Sequence, residues 1–192
     1  MKKLLLACAL VCLSVPASAE EFYFKPYVGF DAQNYSINYQ DDGEDVADDS
    51  LWGGNVHAGF KFHPNFGLEL GYFQTKKGDK DNVLGTGIDT SVKLKGFTLD
   101  LLGYAPLMDR LEGIGTIGVS HIKAEYDVDA AALGIGSFGG DETEWGYRAG
   151  LGLQYDLNQN INFRGIARYQ SADFEDSTDN VMVYSAGLNF TF

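Results

Sequence analysis

The sequence predicts an all-β protein: an eight-stranded antiparallel up-and-down transmembrane β-barrel, with short periplasmic turns and four longer extracellular loops. Three observations predict it. Apolar and polar residues alternate with period two through segments of about ten residues. The connections between segments alternate short and long. The chain opens on an export signal and has no cysteine after it.

The leader, "MKKLLLACALVCLSVPASAE", has Lys2 and Lys3, then the apolar run Leu4–Val15, then Ala17-Ser18-Ala19. A charged start, an apolar run and an A-x-A site describe a secretory signal peptide, cleaved after Ala19. The run is shorter than the ~20 residues a spanning helix needs. Taking Cys8 as a lipoprotein site would leave almost no apolar run before it. Residues 1–19 are therefore expected to be removed, and residues 20–192 to form one barrel domain. Cys8 and Cys12 leave with the leader, so no disulfide is expected in the oxidising compartment the chain enters.

Without Lys2 and Lys3 the 14 Lys+Arg become 12, against 27 Asp+Glu, a net charge of −15. That balance excludes nucleic acid, which needs a basic footprint. A hydrophobic content of 45% with 14% aromatics excludes wholesale disorder.

The elements follow in order. The first strand lies in Phe22–Tyr39, with Val28, Phe30 and Ala32 on its apolar face and a phase shift near Tyr35. "NVHAGFKF" sets Val56, Ala58, Phe60 and Phe62 against Asn55, His57, Gly59 and Lys61. "FGLELGYFQ" sets Phe66, Leu68, Leu70 and Tyr72 against Gly67, Glu69, Gly71 and Phe73. "GFTLDLLGY" sets Phe97, Leu99 and Leu101 against Thr98, Asp100 and Leu102. "LEGIGTIGVSHIKAEY" is strand-like, with its phase slipping near His121. "WGYRAGLGLQY" alternates most clearly, with Trp145, Tyr147, Ala149, Leu151, Leu153 and Tyr155 on one face. "INFRGIARYQ" and "VMVYSAGLNFTF" complete the eight. Short turns fall at Phe62–Phe66, Ala105–Leu111 and Asp156–Asn160. Long acidic connections fall near Gln40–Ser50, Thr75–Thr90, Asp127–Glu144 and Ser171–Asn180.

A soluble barrel would turn the apolar faces inward, whereas an outer-membrane barrel turns them to lipid. The polar faces decide for the membrane, because they carry single charges spaced by glycines, which suits the narrow interior of eight strands. The aromatics agree. Trp145 and Tyr155 are ten residues apart, roughly 23 Å along a strand tilted near 45°, close to the ~25 Å apolar band. The last strand then places Tyr184 near the outer aromatic band and Phe190 and Phe192 near the periplasmic one.

"VYSAGLNFTF", "PYVGFDAQNYS", "GLELGYF" and "LDLLGYAPLMDRLEGIGTIGVS" together resemble the small OmpA/OmpX-like outer-membrane β-barrel family, across essentially all of 20–192. The resemblance implies that the final strand is read by the barrel-assembly machinery, with Tyr184, Phe190 and the terminal Phe192 as the signal. It also implies that Glu69 faces the lumen and pairs with an arginine across it. The peptidoglycan-binding domain of some relatives has no counterpart here, so that role does not carry over.

Seven charges are expected inward: Asp31, Lys61, Glu69, Asp100, Arg148, Arg164 and Arg168. They are nearly balanced in a strongly acidic chain, so the acidic excess lies in the loops. Charges in so narrow a lumen are tolerable when paired, and arginine can engage a carboxylate with two hydrogen bonds. The expected function is that of a monomeric integral protein of the bacterial outer membrane, reached through the periplasm, with a plugged lumen and a structural or surface-contact role. Its neighbours would be outer-membrane lipid and lipopolysaccharide, and a surface or host partner would meet the acidic loops. A narrow porin-like channel for small solutes or small apolar molecules is the alternative. The three histidines form no triad-like cluster with a nucleophile, so no enzyme, cofactor or metal site is expected. "QDDGEDVADDS" packs six carboxylates between Asp41 and Asp49 but lacks EF-hand spacing. It reads as a solvated loop, with loose divalent binding as the sharper alternative, and "AALGIGSFGG" as a flexible apolar contact segment.

Overall fold

A computed structural model describes residues 23–38, 50–80, 89–129, 137–174 and 177–192. The cleavage residues Ala17 and Ala19, the acidic run 41–49 and residues 131–136 of the glycine-rich segment lie outside the described residues.

The chain forms β1 (Lys25–Asn38), β2 (Ser50–His63), β3 (Phe66–Thr75), β4 (Gly78–Lys80), β5 (Asp89–Met108), β6 (Leu111–Asp129), β7 (Ser137–Asp156), β8 (Ile161–Phe174) and β9 (Ser177–Thr191). β3 and β4 both pair with β5 and together make one stave, so the nine segments build eight staves. Every neighbouring pair is antiparallel, and β1 closes the ring on β9 from Tyr27↔Thr191 to Asn38↔Asn180. Closure leaves the membrane-spanning part without a sheet edge, the condition for a strand structure in lipid.

The alternation sends Val28, Phe30, Val56, Leu70, Leu99, Leu151 and Leu188 outward, where they are exposed to the surroundings of the barrel. Phenylalanines gather at the periplasmic rim: Phe24 against Phe60 at 5.2 Å, Phe62 stacked on Phe66 at 6.5 Å, and Phe190 edge-on to Phe192 at 5.2 Å. Trp52, Trp145, Tyr147, Tyr169 and Tyr184 face outward toward the opposite end. These are the two aromatic bands of a membrane barrel.

Two expectations are corrected. The phase does not slip at Tyr35 or at His121. Tyr27, Asp31, Gln33 and Tyr35 are all buried inside, as are Ile114, Thr116, Ser120 and Ile122. What changes is the surroundings. Above the membrane the inward residues become apolar and the outward ones polar, so an unbroken period reads as a slip. The long connections are also shorter than the composition implied. β6 and β7 stay paired to Asp129↔Ser137, and β8 and β9 to Phe174↔Ser177.

The β5–β6–β7 sheet therefore stands above the ring, since β7 meets β8 only from Gly146↔Ala172 onward. Its outer face carries Lys95–Glu125 at 2.6 Å and Lys123–Asp141 at 2.9 Å. The hydrogen bond from Lys95 holds the Glu125 carboxyl below its usual range, and the bond to Asp141 holds Lys123 above its own. For a depressed carboxylate the contribution is complete above the unfolded value and lost as pH falls through the folded one; for a raised lysine it is lost in alkali. Hydrogen exchange should show protection of amides 122–125 and 141–144 weakening below about pH 4, near the ordinary Glu value. The barrel below should be unaffected, and high salt at neutral pH should have the same effect.

Candidate functional site: the ionic layers of the lumen

The inward positions of β1, β3 and β8 bring Asp31, Glu69 and Arg164 to one height, and all three are buried, with Arg164 and Asp31 at 0% exposure. Arg164 donates through Nε to Asp31 Oδ1 (3.0 Å) and through Nη2 to Asp31 Oδ2 (2.7 Å). It also donates through Nη1 to Glu69 Oε2 (2.6 Å) and through Nη2 to Glu69 Oε1 (3.0 Å). One guanidinium thus clamps two carboxylates, Asp31 from two staves away and Glu69 from the stave directly across the ring. Tyr27 donates its hydroxyl to Glu69 (2.9 Å), and Asn55 donates to Asp31 (3.2 Å).

His57 completes the layer. Its Nε2 lies 2.6 Å from Asn189 Oδ1, an acceptor. Its Nδ1 lies 3.3 Å from the donor Asn55 Nδ2, and 3.1 Å from Arg164 Nη2, whose two hydrogens go to Asp31 and Glu69. Those partners assign the proton to Nε2 and make Nδ1 an acceptor.

Glycine makes the room. At Gly187, beside Asp31, a Cβ would collide with the Phe30 carbonyl oxygen and with the Asp31 carboxylate. The backbone contact cannot swing aside. Gly187→Ala should lower barrel stability by about 1–3 kcal/mol, the usual range for overpacking, measured by urea unfolding in detergent. Gly118 faces Asp100, and Gly150 faces Arg168, whose Cγ lies 2.6 Å from where a Cβ would stand.

The second layer is looser. Arg148 Nε lies 3.0 Å from Asp100 Oδ1, an ion pair whose angle makes no hydrogen bond. Arg168 donates through Nη1 to Ser185 Oγ (3.0 Å) and reaches no carboxylate among the described residues, while its Nε and Nη2 have no hydrogen-bond partner. Thr116 Oγ1 and both Asp100 oxygens are also without one. Beyond this layer the lumen is capped by an apolar cluster of Tyr35, Leu51, Phe73, Ile122, Val181 and Val183.

A third layer closes the periplasmic mouth. Lys61 Nζ donates to Glu112 Oε2 at 2.8 Å and sits over the Tyr104 ring, 3.8 Å from its centroid, while Gln154 also donates to Glu112 (3.1 Å). Glu112 was absent from the charges expected inward. Alternation counted back from Ile114 would have found it.

The seven expected charges all point into the lumen, but they do not form one network. Asp31, Glu69 and Arg164 meet; Asp100 meets Arg148; Lys61 meets Glu112; Arg168 stands by itself. Phe192 and Tyr184 lie on the outer surface of β9 and its end, exposed, with the Phe192 amide donating to the Pro26 carbonyl at 3.1 Å.

The model of one family, described as the outer membrane protein beta-barrel domain, matches residues 5–192. The chain belongs to this family. As an outer membrane protein beta-barrel domain it is a protein of the bacterial outer membrane, crossing it with strands. Among solved structures it is similar to Neisserial surface protein A, at 16% identity and a TM-score of 0.63, covering 88% of this chain and 97% of that one. It is similar to Ail, the attachment invasion locus protein of Yersinia pestis, at 19% identity and 0.55, covering 90% and 100%. It is also similar to OprG from Pseudomonas aeruginosa, at 20% identity and 0.55, covering 88% and 95%. At such identities the likeness is one of fold. No curated protein matches the chain in sequence.

Proposed function

We propose that this barrel is a closed, monomeric, non-enzymatic scaffold of the outer membrane, whose lumen is a plug and whose contacts are made by the extracellular hairpins. The observation that carries it is the clamp of Arg164 on Asp31 and Glu69, which ties β8 to β1 and, straight across the lumen, to β3. Four well-formed hydrogen bonds to one guanidinium leave no path for a hydrated ion at that height. The mouth pair Lys61–Glu112 and the apolar cap support the same reading from either end.

The chain is proposed to enter the periplasm by a leader cut after Ala19. The barrel-assembly machinery is proposed to read Tyr184, Phe190 and Phe192, and lipopolysaccharide to surround the outer half. For partners, charge is the guide. Ail has been solved with the heparin analogue sucrose octasulfate, but a chain of net charge −13, or −15 without the leader, repels sulfated polymers. A basic protein surface, or divalent ions bridging to lipopolysaccharide phosphate, suits the acidic hairpins better.

A narrow channel is the second reading. It is favoured by the second layer, where the unpartnered atoms of Asp100, Arg148, Arg168 and Thr116 require water. Planar-bilayer conductance of the refolded chain, residues 20–192, separates the two. Silence, or rare small openings, is expected for a plug. Steady conductance would overturn it and would make Arg148, Arg168 and Asp100 selectivity residues.

A further inference from the structure

Below the clamp, the periplasmic mouth holds a half-enclosed polar cavity of about 360 Å³. That is the size of a small-molecule site. Its wall includes Tyr23, Tyr27, Glu112, Asp156 and Asn162. None of these residues is used by the plug except Tyr27 and Glu112.

Two acceptors there have no donor among the described residues. Asp156 on β7 and Asn162 on β8 are register partners, so their side chains stand side by side on the inner wall. Asn162 is 8% exposed, and its Oδ1 has no hydrogen-bond partner. The Asp156 carboxylate makes no ion pair among the described residues. Lys61, Lys25 and Arg110 all act on it electrostatically without pairing with it. Lys61 is engaged by Glu112 at 2.8 Å, and Lys25 lies over the Tyr23 ring, 5.6 Å from its centroid. Glu112 also faces inward, across the β6–β7 pair from Gln154 and one step diagonally from Asp156. This side of the mouth therefore offers a carboxylate without an ion-pair partner among the described residues and, beside it, a second oxygen acceptor. A primary ammonium satisfies both, because it carries one positive charge and three donors.

We propose that this vestibule binds the primary ammonium group of a small periplasmic molecule, held by the Asp156 carboxylate and Asn162 Oδ1. The site lies on the periplasmic side of the clamp, so it stands whether or not the lumen conducts. The same group occurs on free amines and on phosphatidylethanolamine headgroups at the barrel rim.

The test is an NMR titration of the refolded chain in phosphatidylcholine nanodiscs with ethanolamine, following the Asn162 side-chain amide and the backbone amides of 154–162. Saturable shifts confined to the mouth are expected. Asp156→Asn, an isosteric change at the rim, should weaken binding at least about tenfold, the loss of a charge-assisted hydrogen bond. Asn162→Asp should tighten it. Choline has the same charge without N–H donors and should bind much more weakly; equal binding by choline or by magnesium would overturn the proposal. So would shifts unchanged by Asp156→Asn, or no saturable shifts at all. Nanodiscs of phosphatidylethanolamine distinguish the sources. Mouth shifts already present there, and lost in Asp156→Asn, assign the lipid headgroup, whereas response only to added ethanolamine assigns a free amine.

Discussion

Replacing Arg164 with methionine is expected to destabilise the barrel by about 3–5 kcal/mol, the cost of removing one partner of a buried ionic group. The variant leaves Asp31 and Glu69, both buried, facing each other without the cation that four hydrogen bonds tie to them. Glu69→Ala should fall in the same range, because it frees one side of the guanidinium and strips the Tyr27 hydroxyl of its acceptor. The informative comparison is a third variant in which Arg164, Asp31 and Glu69 all become apolar residues of similar volume. Buried ion pairs replaced as a set are often neutral or stabilising. The triple variant should therefore recover most of the loss in urea unfolding in detergent. Recovery would mean that the clamp closes the lumen and sets strand register rather than adding net stability. An Arg164→Met midpoint equal to that of the parent would show that the clamp is not buried as a unit.

Deleting Phe192 is expected to cut the amount of barrel delivered to the outer membrane severalfold while changing the stability of refolded protein little. The energetic side follows from what the ring touches. It packs edge-on against Phe190 at 5.2 Å and is otherwise 70% exposed to the membrane side. The deletion removes one aromatic contact, about 0.5–1.5 kcal/mol, and the hydrogen bond to Pro26. The assembly side rests on the proposed reading of the terminal aromatic by the assembly machinery. Quantifying surface-exposed, folded barrel in cells alongside the unfolding midpoint in detergent separates the two effects. Normal surface levels of the truncated chain would remove the signal reading and leave Phe192 as part of the periplasmic aromatic band.

The barrel was legible from the chain because lipid imposes a one-dimensional rule. A strand between hydrocarbon and a narrow lumen must alternate, and no partner is needed to see it. Hence "WGYRAGLGLQY" shows which of its side chains meet lipid, and the inward placing of all seven lumen charges follows from counting by two. The rule loses its force where the strand leaves the membrane. Inward Tyr35 and Ile122 are apolar and outward Lys123 is charged, so the local pattern inverts while the geometry does not. The same loss of contrast hid the β6–β7 extension, whose glycine-rich and acidic residues read as loop until each strand had the other to pair with.

Alternation by itself determined the fold class, the lipid-facing surface and seven of the charges inside, though not Glu112 or Asp156. Pairing was decided only in three dimensions. Glu69 meets Arg164 rather than Arg148 or Arg168 because ring closure of β1 on β9 and the tilt of the staves set which heights coincide across the lumen. That closure is a property of all eight staves together, as are the gaps left by Gly118, Gly150 and Gly187. It also decided that Lys61 takes Glu112, that Arg168 meets no carboxylate among the described residues, and that Asp156 and Asn162 stand side by side at the mouth. Such distances depend on contacts remote in the chain, and period-two patterning carries no information about them.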